Sequence, residues 1–173
     1  MIELFEQNER RISRQSSKGN QLKWENNGVW YKADFMGYES LAEIVISRLL
    51  IKSNVTQHVI YEPVSICNNN HTLRGCKSLN FKKSNEMLIP YERLHRAYTG
   101  QSLSSVIAKF DDVEKRIVYT VQFIKNITKI PNIDIYLTML LEIDAFFLNE
   151  DRHTNNLAVL RKTSKSEVTF LTV

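Results

Sequence analysis

The sequence predicts an α+β protein in which a small antiparallel β lobe with one helix precedes a mainly helical half. Two observations support this prediction. Segments of alternating polar and apolar residues fill the first part of the 173-residue chain, and apolar residues at helical spacing dominate the part that begins at Pro90. We therefore expect a first domain over residues 1–89 and a second over residues 90–173.

A β-hairpin is the clearest local signal in the first domain. Segments 21–24 and 29–33 alternate outward polar residues with inward aromatic or aliphatic ones. Asn26-Asn27-Gly28 lies between them, and Asn-Gly fits a type I′ turn because both residues tolerate a positive φ. The two segments are therefore predicted to pair as neighbouring antiparallel strands.

A helix and further strands complete the predicted lobe. Apolar residues at helical spacing predict the helix over residues 40–52, and Ser40 with Glu43 forms a capping box at its start. Strands are predicted over residues 58–66 and 72–82. The lobe then contains four or five strands and one helix.

The second half is predicted to be helical up to a polar loop near its end. The predicted helices cover residues 90–98, 103–110, 113–129 and 133–148, and a short hairpin follows from Leu157. The last helix is apolar on more than one face, so we expect it to be buried.

Composition limits the classes of protein without selecting one. The net charge of +4 is mild, and the basic residues near the N-terminus lack the interleaved aromatics of a single-strand binder, so direct nucleic-acid binding is not expected. The longest apolar segment, 133–148, is interrupted by acids and is shorter than the roughly 18 residues of a membrane span. No membrane association is predicted.

Cysteine use and the N-terminus both favour a cytoplasmic protein. Cys67 and Cys76 support neither a zinc spacing nor a disulfide framework. The first residues alternate acids with apolar residues, unlike a signal peptide. A reduced, cytoplasmic protein fits these observations.

The hexapeptide Asp151-Arg152-His153-Thr154-Asn155-Asn156 is the strongest candidate for chemistry. An acid followed five positions later by Asn, in a loop between apolar elements, is the spacing of a phosphotransfer loop. In such a loop the Asp accepts a hydroxyl proton and the Asn ligates Mg²⁺. A polar turn that satisfies its own backbone is the alternative.

Within the hexapeptide, His153 is a further candidate for a general base or a metal ligand. No second His or Cys lies at ligand spacing, so we favour a structural role that shapes the loop.

Candidates for phosphate binding lie in the first domain. Lys32, on the second strand of the hairpin, can reach phosphates, and Glu43 on the following helix can pair with it. Glu39 is the fallback partner if the helix register is shifted. The turn Ser16-Ser17-Lys18-Gly19-Asn20 can cover phosphates with its backbone N–H groups, although such turns are common.

These motifs together resemble the HipA-like serine/threonine kinase family. The match rests on the order of the glycine turn through Lys23, the strand lysine Lys32, the helix acid Glu43 and the hexapeptide from Asp151. The hexapeptide is also similar to the catalytic loop of phosphoinositide lipid kinases, but the N-terminal turn favours HipA-like kinases.

The resemblance implies a protein-kinase-like fold that binds ATP and Mg²⁺ and phosphorylates a protein Ser or Thr. It implies that Asp151 is the catalytic base, Asn156 a Mg²⁺ ligand, Lys32 the phosphate-binding lysine and Glu43 its partner. It also places Ser16, Gly19 and Asn20 at the phosphates, Leu79 and Phe81 at the adenine, and Ser16 at a position where some members phosphorylate themselves. Such kinases are often toxins paired with a DNA-binding antitoxin.

One departure from the family limits the expected activity. The family has a second metal-binding Asp after the hairpin that begins at Leu157, whereas this chain ends at Val173. On this comparison the C-terminal lobe is truncated, and the chain would need a complementing C-terminal chain for activity. A catalytically inactive, pseudokinase-like interaction module is the alternative.

Overall fold

The computed structural model describes residues 2–3, 22–68, 71–163 and 168–172 and divides the chain into two compact units, Met1–Phe81 and Lys82–Val173. The prediction of an α+β protein is confirmed, since small, mainly antiparallel sheets are combined with several helices. The division falls after Phe81 rather than after residue 89, because the strand Glu86–Pro90 pairs with Ala158–Thr163 of the second unit.

The first unit is a sheet with one helix. Its elements are β1 (Ile2–Glu3), β2 (Lys23–Asn26), β3 (Val29–Ala33), α1 (Glu39–Ile51), β4 (Glu62–Asn68) and β5 (His71–Leu79). The five strands lie in the order β1-β4-β5-β3-β2. Only the short β1 runs parallel to its neighbour among the described strands; every other pair is antiparallel.

The hairpin prediction is confirmed, although its first strand is Lys23–Asn26 and not residues 21–24. Asn26 pairs with Val29, and the two residues between them, Asn27 and Gly28, have φ of 51° and 78°. Two positive φ values in a two-residue turn are those of type I′, whose twist matches that of the strands. The turn therefore fixes which residues of β2 and β3 face each other, with Lys32 opposite Lys23. On its other side β3 pairs with β5, where Lys32 lies opposite Cys76.

Strand β4 begins later than predicted. The sequence predicts a strand from residue 58, but pairing starts at Glu62 and includes Pro63. Proline offers no N–H to a neighbouring strand, and β1 pairs only with Ile66 and Cys67 of β4. Among the described residues Pro63 thus has β5 on one side and no strand on the other.

The core of the first unit is formed by Trp24, Tyr31, Ala33 and Ile66, with partly buried residues around them. Trp24 and Tyr31 are directly paired across the hairpin, and their rings stack with centroids 5.4 Å apart. Alternation along β3 buries Tyr31 and Ala33. Because side chains alternate along a strand, Lys32 lies on the opposite face of the sheet.

The second unit is mainly helical with a small sheet. Its elements are β6 (Glu86–Pro90), α2 (Tyr91–Thr99), α3 (Leu103–Ile107), α4 (Val113–Thr128), α5 (Ile133–Phe146), β7 (Ala158–Thr163) and β8 (Val168–Thr172). The three strands lie in the order β6-β7-β8. The predicted helices and the hairpin after Leu157 are present, whereas β6 was not predicted.

The ends of helix α4 follow the local chemistry of its sequence. The Asp112 side chain accepts a hydrogen bond from the Glu114 N–H at 2.8 Å, as expected of an N-cap. Lys129 adopts a left-handed conformation at the other end, with a φ of 60°, and its N–H bonds to the Lys125 carbonyl. The chain then turns before α5 begins at Ile133.

Helix α5 is not buried on all sides, which corrects one expectation. Ile133, Tyr136 and Leu137 belong to the core cluster of the second unit. Ile135 is 65% exposed and Phe146 79% exposed. An apolar helix therefore presents one face to its core and leaves apolar side chains on the other.

Candidate functional site

Lys32 and Glu43 form an ion pair in the first unit. The Lys32 Nζ lies 2.7 Å from Glu43 Oε1 and 2.8 Å from Glu43 Oε2. The side chains are 19% and 30% exposed, respectively. The strand and the helix that the sequence singled out thus bring these two candidate residues together, in a setting where water screens the charges only partly.

Tyr61 and Cys76 complete the surroundings of this pair. The Lys32 Nζ donates a hydrogen bond to Tyr61 Oη at 3.0 Å and lies 4.6 Å from the centre of the Tyr61 ring. The Cys76 thiol donates to Glu43 Oε2 at 3.2 Å. The sequence did not identify either residue. Cys76 lies beside the pair because of the pairing of β3 with β5, which places it opposite Lys32. Tyr61 lies 29 positions from Lys32, so no local pattern connects the two.

Burial and charge shift the titration of the cluster. Burial lowers the pKa of Lys32, but Tyr61 and Glu43 raise it more, so the pKa lies above its ordinary value of 10.5. Burial, the Glu43 charge and the hydrogen bond to Glu43 raise the pKa of Cys76 to about 12. At neutral pH the lysine is therefore a fixed cation and the cysteine a neutral thiol.

The predicted capping box between Ser40 and Glu43 does not form, and Glu43 bonds to Lys32 instead. Ser40 instead bonds to Asp34, with its N–H and its hydroxyl each 2.7 Å from a carboxylate oxygen. Helix α1 begins at Glu39, one residue before the predicted start. The prediction was wrong because the long-range partner Lys32 competes for Glu43.

Glu39, the fallback partner for Lys32, has a local role. Its carboxylate accepts the backbone N–H groups of Phe35, Met36, Gly37 and Tyr38 at 2.9 to 3.2 Å. Burial raises the pKa of Glu39, but hydrogen bonds from backbone N–H groups, including those of Met36, Tyr38 and Gly37, lower it more. Glu39 therefore fixes the entry to helix α1 and does not pair with Lys32.

The hexapeptide forms a turn in the second unit that leaves its acid accessible. The Asp151 side chain is 83% exposed. The Asn156 Nδ2 donates to the Asp151 carbonyl at 2.6 Å. The two ends of the motif are therefore linked, although through the backbone of Asp151 and not through its carboxylate.

His153 contributes to the shape of this turn. Its Nδ1 accepts the Asn155 N–H at 3.2 Å, and its carbonyl accepts the Asn156 N–H at 2.9 Å. Its Nε2 lies 4.0 Å from Asp151 Oδ1, which is too far for a hydrogen bond. The contacts of His153 are those expected of the structural role favoured from the sequence.

An ion pair that the sequence did not identify holds the loop to helix α5. Arg152 donates to Asp144 through its Nε at 2.6 Å and through its Nη2 at 2.8 Å. Asn149 donates to the same carboxylate at 2.7 Å. Burial raises the pKa of Asp144, but the hydrogen bonds from Arg152 and Asn149 lower it more. The sequence signal for this pair was Asp144, an acid inside an apolar helix, eight residues before Arg152.

Glu92 holds the loop from the other side. Its Oε2 accepts the Thr154 hydroxyl at 3.0 Å and the Ser104 N–H at 3.0 Å. The Glu92 N–H donates to the Thr154 carbonyl at 3.2 Å, and the Tyr91 N–H to the Leu157 carbonyl at 2.8 Å. The catalytic-loop candidates therefore lie on a turn that α2 and α5 both fix in place.

Other predicted site residues are accessible or lie outside the described part. Leu79 ends strand β5 and is 76% exposed, and Phe81 follows it with its side chain partly exposed. Ser16, Gly19 and Asn20 fall outside the described residues.

The oxygen atoms of the loop suit a hard cation but do not form a complete site. The Asn156 Nδ2 is used within the loop, so its Oδ1 is the atom suited to a metal. Within the described ranges no group of three or more His, Cys, Asp or Glu is arranged to hold a metal ion. Magnesium prefers about six oxygen ligands, so most of them would have to come from outside this loop.

Comparisons with protein-family models, with curated proteins and with solved structures find no match to this chain. Among the described helices, none has the length and apolar character needed to cross a membrane.

Proposed function

We propose that this chain carries the ATP-binding and catalytic-loop residues of a HipA-like serine/threonine protein kinase. The observation that carries the proposal is the ion pair between Lys32 on a strand and Glu43 on the following helix. A lysine held by a helix acid is the arrangement that kinases use to position the phosphates of ATP.

The physical requirement behind this pair is a fixed positive charge. Phosphoryl transfer depends mainly on positioned phosphates and on groups that neutralise developing charge. A free lysine side chain samples many rotamers, whereas Lys32 is held by both oxygens of Glu43. Because its pKa is raised, Lys32 remains charged throughout the physiological range.

The hexapeptide supplies the second part of the proposal. A catalytic base must meet the hydroxyl group of a protein substrate, and the exposure of Asp151 allows this. Asn156 is suited to offer its amide oxygen to Mg²⁺, the role that an Asn has in the catalytic loop of protein kinases. Glu92 and the Asp144–Arg152 pair keep the turn in one conformation.

Binding of ATP is the first test. Mg-ATP at ten times its dissociation constant should stabilise the wild-type protein by about 1.4 kcal/mol, roughly a 4 °C rise in the thermal midpoint. The substitution Lys32→Ala should remove this rise. Lys77→Ala is the matched control, because it removes another lysine–glutamate pair of the same sheet, with Glu62. A rise that persists in Lys32→Ala would contradict the proposal.

Transfer of phosphate is the second test. Wild-type protein would be incubated with labelled Mg-ATP and a mixture of protein substrates. Asp151→Asn should abolish labelling while the ATP-induced thermal shift remains. Labelling that is unchanged in Asp151→Asn would exclude Asp151 as the base.

An interaction module without catalysis is the second candidate function. Apolar side chains are exposed on α1, including Leu41, Val45 and Leu49 at four-residue spacing, and on α5. Exposed apolar surface of this kind is typical of contacts with a partner protein. ATP binding without transfer, together with a stable complex in which these residues become protected, would favour this candidate.

A further inference from the structure

We infer that Tyr61 determines the affinity for ATP by holding the N–H group of Lys32 that a phosphate oxygen takes when ATP binds. This inference rests on the proposed function, because it assigns the phosphate position to Lys32. Tyr61 would thus be a placeholder that the nucleotide displaces.

The hydrogen-bond capacity of Lys32 is the first step. An ammonium group has three N–H donors and no acceptor. The described acceptors of Lys32 are Glu43 Oε1, Glu43 Oε2 and Tyr61 Oη. The two Glu43 oxygens belong to one carboxylate, and Tyr61 is the separate, neutral acceptor on the same ammonium. A phosphate oxygen that bonds to Lys32 therefore competes with these groups for its N–H donors.

The strengths of these bonds decide which acceptor is replaced. The Glu43 oxygens are charged and lie at 2.7 and 2.8 Å, whereas Tyr61 Oη is neutral and lies at 3.0 Å. All of these bonds have a charged donor, but only those to Glu43 add the attraction between opposite charges. A charged phosphate oxygen therefore outcompetes Tyr61 before it outcompetes Glu43.

The position of Tyr61 in the chain allows this exchange without a change of fold. Its N–H bonds to Ser47 Oγ of helix α1 at 3.2 Å, and strand β4 begins at the next residue. The backbone of Tyr61 is thus held by its own N–H bond and by the strand that follows it. A rotation of the side chain is enough to move the hydroxyl away from Lys32.

The substitution Tyr61→Phe tests the inference by removing one oxygen atom. ATP should bind about two- to tenfold more tightly, since a neutral hydrogen bond no longer competes for Lys32. Tyr38→Phe is the matched control, because its exposed hydroxyl bonds to the Met36 sulfur and not to Lys32. Unchanged or weaker ATP binding by Tyr61→Phe, in protein with a normal thermal unfolding transition, would overturn the inference.

A measurement without nucleotide separates this inference from the proposed function. Trace acetylation of lysines, followed by mass spectrometry, reports how firmly each amine is held. Burial lowers the pKa of Lys32, whereas its contacts with Tyr61 and Glu43 raise it. Loss of the Tyr61 hydroxyl should therefore lower this pKa, increase the fraction of neutral amine and make Lys32 react several-fold faster relative to Lys77. If wild type and variant both fail to bind ATP while Lys32 reacts faster, the proposed function fails and the hold of Tyr61 on Lys32 stands. An unchanged relative rate overturns the inference.

Discussion

Glu92 and Thr154 are joined by a hydrogen bond of 3.0 Å across 62 positions of the sequence. The carboxylate also accepts the Ser104 N–H, so one side chain connects helix α2, the start of helix α3 and the loop that carries Asp151. Burial raises the pKa of Glu92, but its hydrogen bonds and the Arg96 charge lower it more. Glu92 is therefore an ionised group whose described hydrogen bonds connect these three segments.

The substitution Glu92→Gln should destabilise the protein by about 1–2 kcal/mol. The amide keeps the size of the side chain but replaces a charged acceptor with a neutral one. With its oxygen in the place of Oε2, its NH2 group faces the Arg96 guanidinium, a second donor. Urea unfolding measures the change. Glu114→Gln, an exposed acid in the same unit, is the control and should change stability by less than about 0.5 kcal/mol. Equal effects of both substitutions would contradict the role given to Glu92.

The substitution Asp144→Asn should cost about 2 kcal/mol at pH 7, because it leaves Arg152 without its charged partner. This is below the roughly 3–5 kcal/mol of a fully buried pair, since Arg152 retains some contact with water. The folded-state pKa of Asp144 is lower than its ordinary value of 3.8. Its stabilising contribution is therefore present above that value and lost as the pH falls through the lowered pKa.

Thermal midpoints measured between pH 7 and pH 2 check this prediction. The difference between wild type and Asp144→Asn should be constant near neutrality and shrink at the acid end, as Asp144 of the wild type becomes protonated. A difference that stays the same down to pH 2 would show that the charge of Asp144 does not contribute.

Gly75→Ala should prevent the first unit from folding or destabilise it by at least about 3 kcal/mol. A Cβ atom at Gly75 would clash with the carbonyl oxygen of Lys32 and lie 2.6 Å from Ile66 Cδ1. Strand β3 would have to move away from β5, so the cost is that of overpacking a buried backbone contact. Thr72→Ala, on the exposed part of the same strand, is the control for circular dichroism and thermal unfolding. Normal stability of Gly75→Ala would mean that the two strands lie further apart.

Leu148→Gly should be more stable than Leu148→Ala by about 1 kcal/mol. Leu148 has a φ of 54° and an exposed side chain, so it adopts a left-handed conformation without burying its apolar atoms. Both substitutions remove the same apolar surface, but only glycine relieves the contact between Cβ and the backbone. Unfolding in urea compares the two variants directly. Greater stability of the alanine variant would argue against a positive φ at this position.

Local patterns were sufficient for much of the fold. The Asn27-Gly28 turn and the alternation on both sides of it predicted the first hairpin, and helical spacing predicted α1 and α4 to within a few residues. Strand β6 was missed because its pairing with β7 depends on residues about seventy positions away. No local periodicity distinguishes such a strand from a loop.

The sequence by itself determined the type of each main element and the candidates Lys32, Glu43, Asp151 and Asn156, because residue spacing and side-chain chemistry are properties of the chain. Only the tertiary structure decided that Glu43 bonds to Lys32 and not to the end of its own helix. Tertiary contacts also assigned Asp144 and Glu92 to the support of the loop. A carboxylate takes the strongest donors within its reach, and packing between distant segments determines which donors those are.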